Sequence, residues 1–430
     1  MTDYPKSWYA STLGAVPARP AMQEALSADV VVVGAGLAGL TTALECSRLG
    51  LSVVLLEASR VAFGASGRNG GMVIPGFSQE LADLAANVGQ EKALQLYRLS
   101  CDGLEYVRRH INLLCPEALM GEGYLSVSRY PAAAAFAEEA DLLNSALGRE
   151  LSPWSTNHLR TVLQTERYHD ALFDPHSFHI HPLRYAHALA AEFERSGGRL
   201  FENSKVEYLN HLQDRVELKT ESGKVTGRQV VLCTSAYDHS LYPALSRCIL
   251  PVATYVAVTE TLQPSQKSLI DTAACVIDTR RAGDYYRLLH NDRLLWGGKI
   301  TTRQAVPAQL SSIMRKTMAA TYASLFSVDI EYAWSGLMGY AVHKMPIIGQ
   351  ISPRVWSATA FGGHGLNTTA MAGCLIAQGI ANADQTYRLF DAFNPRWAGG
   401  YAGRAIVQTS YLTMQLLDKL TELRADFGSR

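Results

Sequence analysis

Asp29-Val-Val-Val-Val-Gly-Ala-Gly-Leu-Ala-Gly39 decides the fold of this 430-residue chain. The four valines make an apolar, β-branched run of strand length that stops at a glycine. Leu37 to Leu49, rich in Ala and Leu and closed by Gly50, predicts a helix, and Ser52-Val-Val-Leu-Leu-Glu57 predicts a second buried strand. Strand, helix and strand in so short a span imply a right-handed βαβ unit and a parallel sheet. Strands this continuously apolar suit a sheet covered on both faces.

Between strand and helix stands Gly34-x-Gly36-x-x-Gly39, in the context the dinucleotide fingerprint requires. Gly34 makes the tight turn, Gly36 lets the backbone approach a pyrophosphate, and Gly39 lets helix and strand pack closely. Leu37 and Ala38 open the helix, whose unpaired N–H groups and partial positive charge face the phosphates. Glu57, closing the second strand and followed by Ala58, can accept both ribose hydroxyls and would repel a 2′-phosphate, which disfavours NADP. The fingerprint serves NAD and FAD alike. Two glycine-rich stretches favour FAD. Gly64-Ala-Ser-Gly-Arg-Asn-Gly-Gly71 lets backbone amides approach a flat ring and a phosphate together. Gly362-Gly-His-Gly365 precedes a helix whose N-terminus would stabilise negative charge on a reduced flavin.

Later segments complete the sheet. His181 to Gly197 predicts a helix and Leu200 to Val206 a third parallel strand. Val216–Thr220 and Lys224–Cys233 predict a hairpin returning to the sheet, and Arg354–Phe361 a strand followed by an apolar helix to Ile380. Leu81 to Tyr168 is helical in pattern, whereas Leu250 to Trp334 mixes strands such as Tyr285–Leu289 and Arg293–Gly297 with a helix near Ala308–Phe326. The expected class is α/β, α+β overall: a Rossmann-like FAD-binding domain with an interleaved antiparallel-sheet substrate domain. The cofactor lobe is expected from 28–80, 181–240 and 336–385, the substrate lobe from 81–180 and 241–335, and a C-terminal helical segment from 386–430.

Composition narrows the function classes. Lys plus Arg and Asp plus Glu are 39 each, so the formal charge is zero and no basic run suggests nucleic acid. Seven cysteines, none in CxxC spacing, argue against a disulfide framework, a metal site or a redox pair, and for a reducing compartment. Met1 to Ser27 lacks the order of a signal peptide, and Val30–Leu44 is too short and glycine-rich to be an integral membrane segment. A soluble, cytoplasmic protein is expected. Tyr411 to Leu423 is amphipathic at helical spacing and is expected to pack on its own protein rather than on a membrane surface or a partner.

Five pieces, in order, resemble the D-amino-acid-oxidase-like family of FAD-dependent oxidoreductases, which includes sarcosine and glycine oxidases. They are Val33-Gly-Ala-Gly-Leu-Ala-Gly39, Leu56 through Gly71, Ile180-His-Pro-Leu-Arg-Tyr185, Val231-Leu-Cys-Thr-Ser-Ala236 and Phe361-Gly-Gly-His-Gly-Leu366. The likeness points to the γ-glutamylputrescine oxidase and pipecolate-type branch. It implies FAD, removal of hydride from the carbon bearing an amine to flavin N5, and release of an imine. By motif, Gly34, Gly36, Gly39 and Glu57 would bind the ADP half, and Ser66, Gly67, Arg68, Asn69, Gly70 and Gly71 would lie along the pyrophosphate and flavin. Val206 would meet the adenine through its backbone, Thr234 would sit beside the cofactor, and Gly363, His364, Gly365 and Leu366 would face the flavin pyrimidine. Two departures stand out. Many amino-acid oxidases of the family carry Gly-Leu-Arg where this chain has Gly336-Leu-Met338, and the flavin-linking cysteine of the sarcosine-oxidase type is missing, so FAD is expected to be non-covalent.

The chemistry needs positioning, a buried free amine and exclusion of water more than acid or base. Tyr285, Tyr286 and Arg287 fall in a strand that the resemblance puts near substrate; alternation sends Tyr285 and Arg287 to one face, and Arg287 is the candidate carboxylate anchor. His364 is the candidate flavin neighbour. Tyr255, Tyr340, Lys299, His343 and Lys344 are weaker candidates. The leading expectation is oxidation of a small amine or imino acid, with oxygen or another acceptor taking the electrons. An NAD-dependent dehydrogenase and a non-catalytic flavin-binding protein are the alternatives.

Overall fold

The computed structural model of the chain describes residues 3–237, 240–280 and 283–428, with side chains described as far as residue 422. Among the described residues the strands form two sheets, of eight and nine strands. In the first, Val355–Thr359, Lys224–Leu232, Ala25–Val33, Val53–Leu56 and Arg199–Phe201 lie side by side in parallel. Ile347–Ser352 closes one edge antiparallel, and the hairpin Tyr208–His211/Val216–Lys219 extends from Lys224–Leu232. Val30 to Val32 are fully buried, as two-sided cover demands.

Helices Leu37–Arg48, Gln90–Leu114, Pro182–Arg195 and Gly365–Asn382 cover one face of this sheet and share one core with it. Close helix contact depends on a missing side chain at Gly373, where a Cβ would stand 2.7 Å from Thr41. The third parallel strand is shorter than expected: it ends at Phe201, and Val206 lies beyond it. The first strand begins at Ala25 rather than Asp29.

The second sheet runs Ile330–Tyr340, Leu250–Thr259, Arg293–Thr301, Tyr285–Leu289, Cys275–Asp278, Leu119–Val127, Ala171–Ile180 and Met72–Val73, with Ser152–Trp154 beside Ala171–Ile180. It is antiparallel but for one parallel pair, Cys275–Asp278 with Leu119–Val127. Two expectations need correction. Leu119–Val127 and Ser152–Trp154 are strands inside a stretch that reads as helical. Gly121 and Gly123 dilute the alternation there, and two register shifts break it. The strand Ile330–Tyr340 also runs across the lobe boundary expected at residue 336, and Met72–Val73 joins the second sheet from within 28–80.

The chain ends in a helix, Gly400–Gly428, longer than the amphipathic pattern suggests. Val407 and Tyr411 pack against the second sheet, while Gln408 Oε1 accepts from Thr301 Oγ1 and Thr302 N at 2.9 Å each. Leu412, Leu416 and Leu420 on its outer side are exposed. No helix among the described residues is long and apolar enough to cross a membrane.

Arg287 ties the two sheets to the N-terminal segment, where the short helix Trp8–Thr12 is buried against Pro182–Arg195. Fully buried, it donates from Nε to Gly70 O (2.8 Å) and from Nη2 to Ile180 O (2.8 Å) and Tyr9 Oη (2.9 Å). Nη1 donates to His179 Nδ1 at 2.7 Å, so the imidazole proton sits on Nε2, which donates to Ala273 O at 2.8 Å. Burial and the adjacent guanidinium hold His179 well below its usual range, hence neutral. The expectation that Arg287 grips a substrate carboxylate is therefore corrected: its donors are spent on backbone and buried side chains, and it braces the Gly70–Gly71 loop from behind. Replacing it by Met would leave two carbonyls and a phenol buried without donors. Arg287→Met is expected to destabilise the apoprotein by about 3–5 kcal/mol. Urea denaturation checks this, and a loss below about 1 kcal/mol would contradict the bracing role.

Candidate functional site

One cavity of about 650 Å³ opens between the C-terminal ends of the parallel strands and the second sheet, the position expected for ligands of open α/β sheets. Its inner end is built by the first βαβ unit. Gly34 has φ +102°, and a Cβ there would stand 2.8 Å from Cys233 O, so the turn excludes other residues. A Cβ on Gly39 would overlap the Gly34 carbonyl oxygen; Gly39 faces the strand and not the cavity, as its packing role requires. The helix Leu37–Arg48 starts at Gly36 with no side-chain cap, so its first N–H groups are open toward the cavity, Leu37 N alone donating to Ser66 Oγ at 2.9 Å.

Glu57, Ala58 and Val206 line this end, joined by Lys205. Glu57 accepts from Ala35 N (2.7 Å) and Ser59 N (2.9 Å), which fix its carboxylate, while burial raises its pKa. Cys233 and Thr234 form the adjoining wall, with the Cys233 thiol pushed up to about 12 by burial.

The middle of the cavity is the 64–71 loop. Asn69 holds its shape, accepting from Gly71 N at 2.9 Å and donating to Ala65 O (3.1 Å) and Ser66 O (2.9 Å). Ser66, Arg68, Gly70 and Gly71 line the cavity, whereas Gly67 is turned inward against Ala62 O. Arg68 donates from Nε to Phe63 O at 2.8 Å, and its own carbonyl accepts from Trp334 Nε1 at 2.9 Å, which joins the loop to the second sheet.

Opposite lies Gly362–Leu366. Gly363 N donates to Ser78 Oγ at 2.9 Å, and the helix Gly365–Asn382 begins at His364 without a side-chain cap. His364 Nδ1 is buried with no hydrogen-bond partner among the described residues, and burial pulls the imidazole down to about 4, so it is neutral at pH 7. Gly363, His364, Gly365 and Leu366 all line the cavity.

The outer wall is the second sheet. Tyr285 lines it, its ring edge only 2.7 Å from where a Gly70 Cβ would be, and Thr254, Ile300, Met338 and Tyr340 stand nearby. Tyr286 is corrected out of the site: it points to the opposite face, stacked on Trp296 at 4.3 Å and bonded to Tyr322 Oη at 3.0 Å. Tyr255 belongs to that same outer core, and Lys299, His343 and Lys344 do not line the cavity. Sequence reasoning missed Lys205, Tyr237, Asp278 and Arg280 as lining residues. The first two stand one and three positions from Val206 and Thr234, so their neighbours were the available signal. Asp278 and Arg280 carry no signal, since a charged turn reads as solvated.

These residues fit FAD. Two uncapped helix starts converge on one cavity, Glu57 closes its inner end, and an orphaned imidazole nitrogen stands beside the second helix. Comparisons with known proteins agree. A family model described as FAD dependent oxidoreductase matches residues 29–379. The gamma-glutamylputrescine oxidoreductase of Escherichia coli is 32% identical over 396 residues, covering 91% of this chain and 92% of that protein. A probable oxidoreductase, OrdL, of Haemophilus influenzae is 32% identical over 394 residues, or 90% of each chain. Among solved structures, glycine oxidase from Geobacillus kaustophilus superposes with a TM-score of 0.71 at 19% identity, over 86% of this chain and 99% of that one. L-proline dehydrogenase from P. horikoshii superposes with a TM-score of 0.70 at 17% identity, over 88% and 100%. The family match over residues 29–379, with relatives 32% identical over about nine-tenths of the chain, makes this chain a member of the DAO family of FAD-dependent oxidoreductases.

Proposed function

We propose that this chain oxidises the carbon–nitrogen bond of a small amine or amino acid, with FAD held non-covalently. The observation that carries the reading is the continuity of one cavity from the Glu57 end to a wall of buried, neutral side chains. FAD, when bound, would accept the hydride of the C–H bond next to nitrogen, and with it the two electrons of the oxidation.

The chain's own groups do the rest. Leu37, Ala38, Ser66 and Asn69 hold or shape the phosphate and loop region, Glu57 the ribose. Tyr285 and Tyr340 are phenols whose pKa values burial raises, so they remain neutral and offer hydrogen bonds without charge. A wall of this kind favours an amine that has shed its proton, the form from which a hydride can leave. The uncapped start of Gly365–Asn382 favours negative charge developing near His364. The Cys233 thiol is engaged by Thr42 of the first helix and kept protonated by burial, which supports non-covalent binding.

Met338 lines the cavity within the Gly336-Leu-Met338 stretch, so position 338 offers no cation to a carboxylate beside the reacting carbon. That favours an amine whose reacting carbon bears no carboxylate, in line with the Escherichia coli relative named for γ-glutamylputrescine. The electrons then pass to oxygen or another acceptor, which an oxygen-uptake assay separates.

The holoprotein, mixed anaerobically with a panel of primary and secondary amines and amino acids, is expected to lose its yellow absorbance with at least one γ-glutamyl amine. Bleaching by none of the amines, or uptake of NAD in place of flavin, would overturn the reading.

The pH profile follows from the same groups. His364, lowered to about 4, gains a proton only well below neutrality, and Tyr285, raised above its usual value, keeps its proton through alkaline pH. Neither changes charge between about pH 5 and 9. The anaerobic reduction constant is therefore expected to rise with pH on one ionisation, that of the substrate amine. Tyr285→Phe should lower the rate without moving that ionisation. A shift of the profile in this variant would assign the titrating group to the tyrosine.

A further inference from the structure

Beyond Tyr285 stands a cluster of four charges, two of them lining the cavity, that the oxidation itself does not use. Ile277 pairs with Tyr285 across the sheet, and the strand Cys275–Asp278 then turns outward to Arg280. Asp278 and Arg280 both line the cavity. Arg280 donates from Nε to Asp278 Oδ1 (3.0 Å) and from Nη2 to Asp278 Oδ2 (2.6 Å) and Asp284 Oδ2 (2.8 Å). Behind them Arg129 puts Nε 3.4 Å from Asp278 Oδ2 and Nη2 3.3 Å from Asp284 Oδ2.

The four charges are unequally presented. The Asp278 side chain is 0% exposed, Asp284 7% and Arg129 5%, against 20% for Arg280. Of the two that line the cavity, the Arg280 guanidinium is the more exposed. Its Nε and Nη2 are clamped by two carboxylates, so its orientation is set before any ligand arrives. Its third nitrogen, Nη1, makes no hydrogen bond among the described residues. Its nearest partner is Glu422 Oε1 on the C-terminal helix, at 3.8 Å, too long for one.

We propose that Arg280 is a specificity-determining residue that receives, through Nη1, a carboxylate carried at the far end of the amine substrate, with Glu422 yielding the place. This rests on the amine-oxidising reading above and names its substrate class: an amine whose reacting carbon is separated by a chain from a terminal carboxylate. It also accounts for Met338. The anchoring cation has no place next to the reacting carbon because it stands at the other end of the substrate.

The test compares holoenzyme, Arg280→Gln and Glu422→Gln on paired substrates. These are γ-glutamylputrescine with its α-carboxamide, and the ω-amino acids from 5-aminopentanoate to 8-aminooctanoate with their carboxamides. For the native protein KM is expected to be about tenfold or more lower for the acid than for its amide, since one charge-assisted pair is worth at least that. Arg280→Gln should bring the acid–amide KM ratio close to one by raising KM for the acid, and Glu422→Gln should lower KM for the acid. Flavin content of Arg280→Gln reports whether that variant folds; if it does not, the acid–amide ratio of the native protein and the Glu422→Gln effect decide. Equal KM values for acid and amide in the native protein, or an unchanged ratio in Arg280→Gln, would overturn the proposal while leaving amine oxidation standing. If no amine bleaches the flavin, the underlying reading fails instead.

Discussion

The contact between Gly39 and the carbonyl of Gly34 governs the rest of the molecule. Only with hydrogen in place of a side chain can the helix Leu37–Arg48 lie on the end of the first strand, because any Cβ would overlap that oxygen. The closeness aims the uncapped N-terminus of the helix into the space above the sheet. The second helix start, at His364, reaches the same space through strands that are neighbours of the first, since Val355–Thr359 pairs with Lys224–Leu232 and that strand with Ala25–Val33. Two positive helix ends on one cavity follow from parallel connectivity, with no charged side chain needed to create them.

The second sheet closes this cavity and is held to the first by buried polar groups. Arg287 ties Gly70, Ile180 and Tyr9 together, and Trp334 donates to Arg68 O. A buried guanidinium with these partners, and without a paired carboxylate among the described residues, is costly to form and more costly to disrupt. It fixes the 64–71 loop that lines the cavity and leaves the adjoining wall to Tyr285.

Much of this was legible in the chain itself, for identifiable reasons. The first βαβ unit announces itself because Val30–Val33 and Val53–Leu56 are buried on both sides and so carry no polar residues. The glycine loops announce themselves because close backbone approach tolerates little else. Leu119–Val127 was hidden by Gly121 and Gly123, which blur the alternation of a strand. The face of Arg287 followed from alternation with Tyr285, but its partners come from residues near 9, 70 and 180, which sequence neighbours cannot reveal. Arg280 and Asp278 read as a solvated turn, and only the fold shows that both line the cavity.

The central claim is that the cavity between the two helix starts holds one flavin per chain without a covalent link. Absorbance of the purified protein near the flavin bands, followed by acid precipitation and identification of the released chromophore, tests it most directly. FAD is expected in the supernatant at a ratio near one per chain. A colourless protein that binds no added flavin, a nicotinamide in its place, or flavin retained in the precipitate would contradict it.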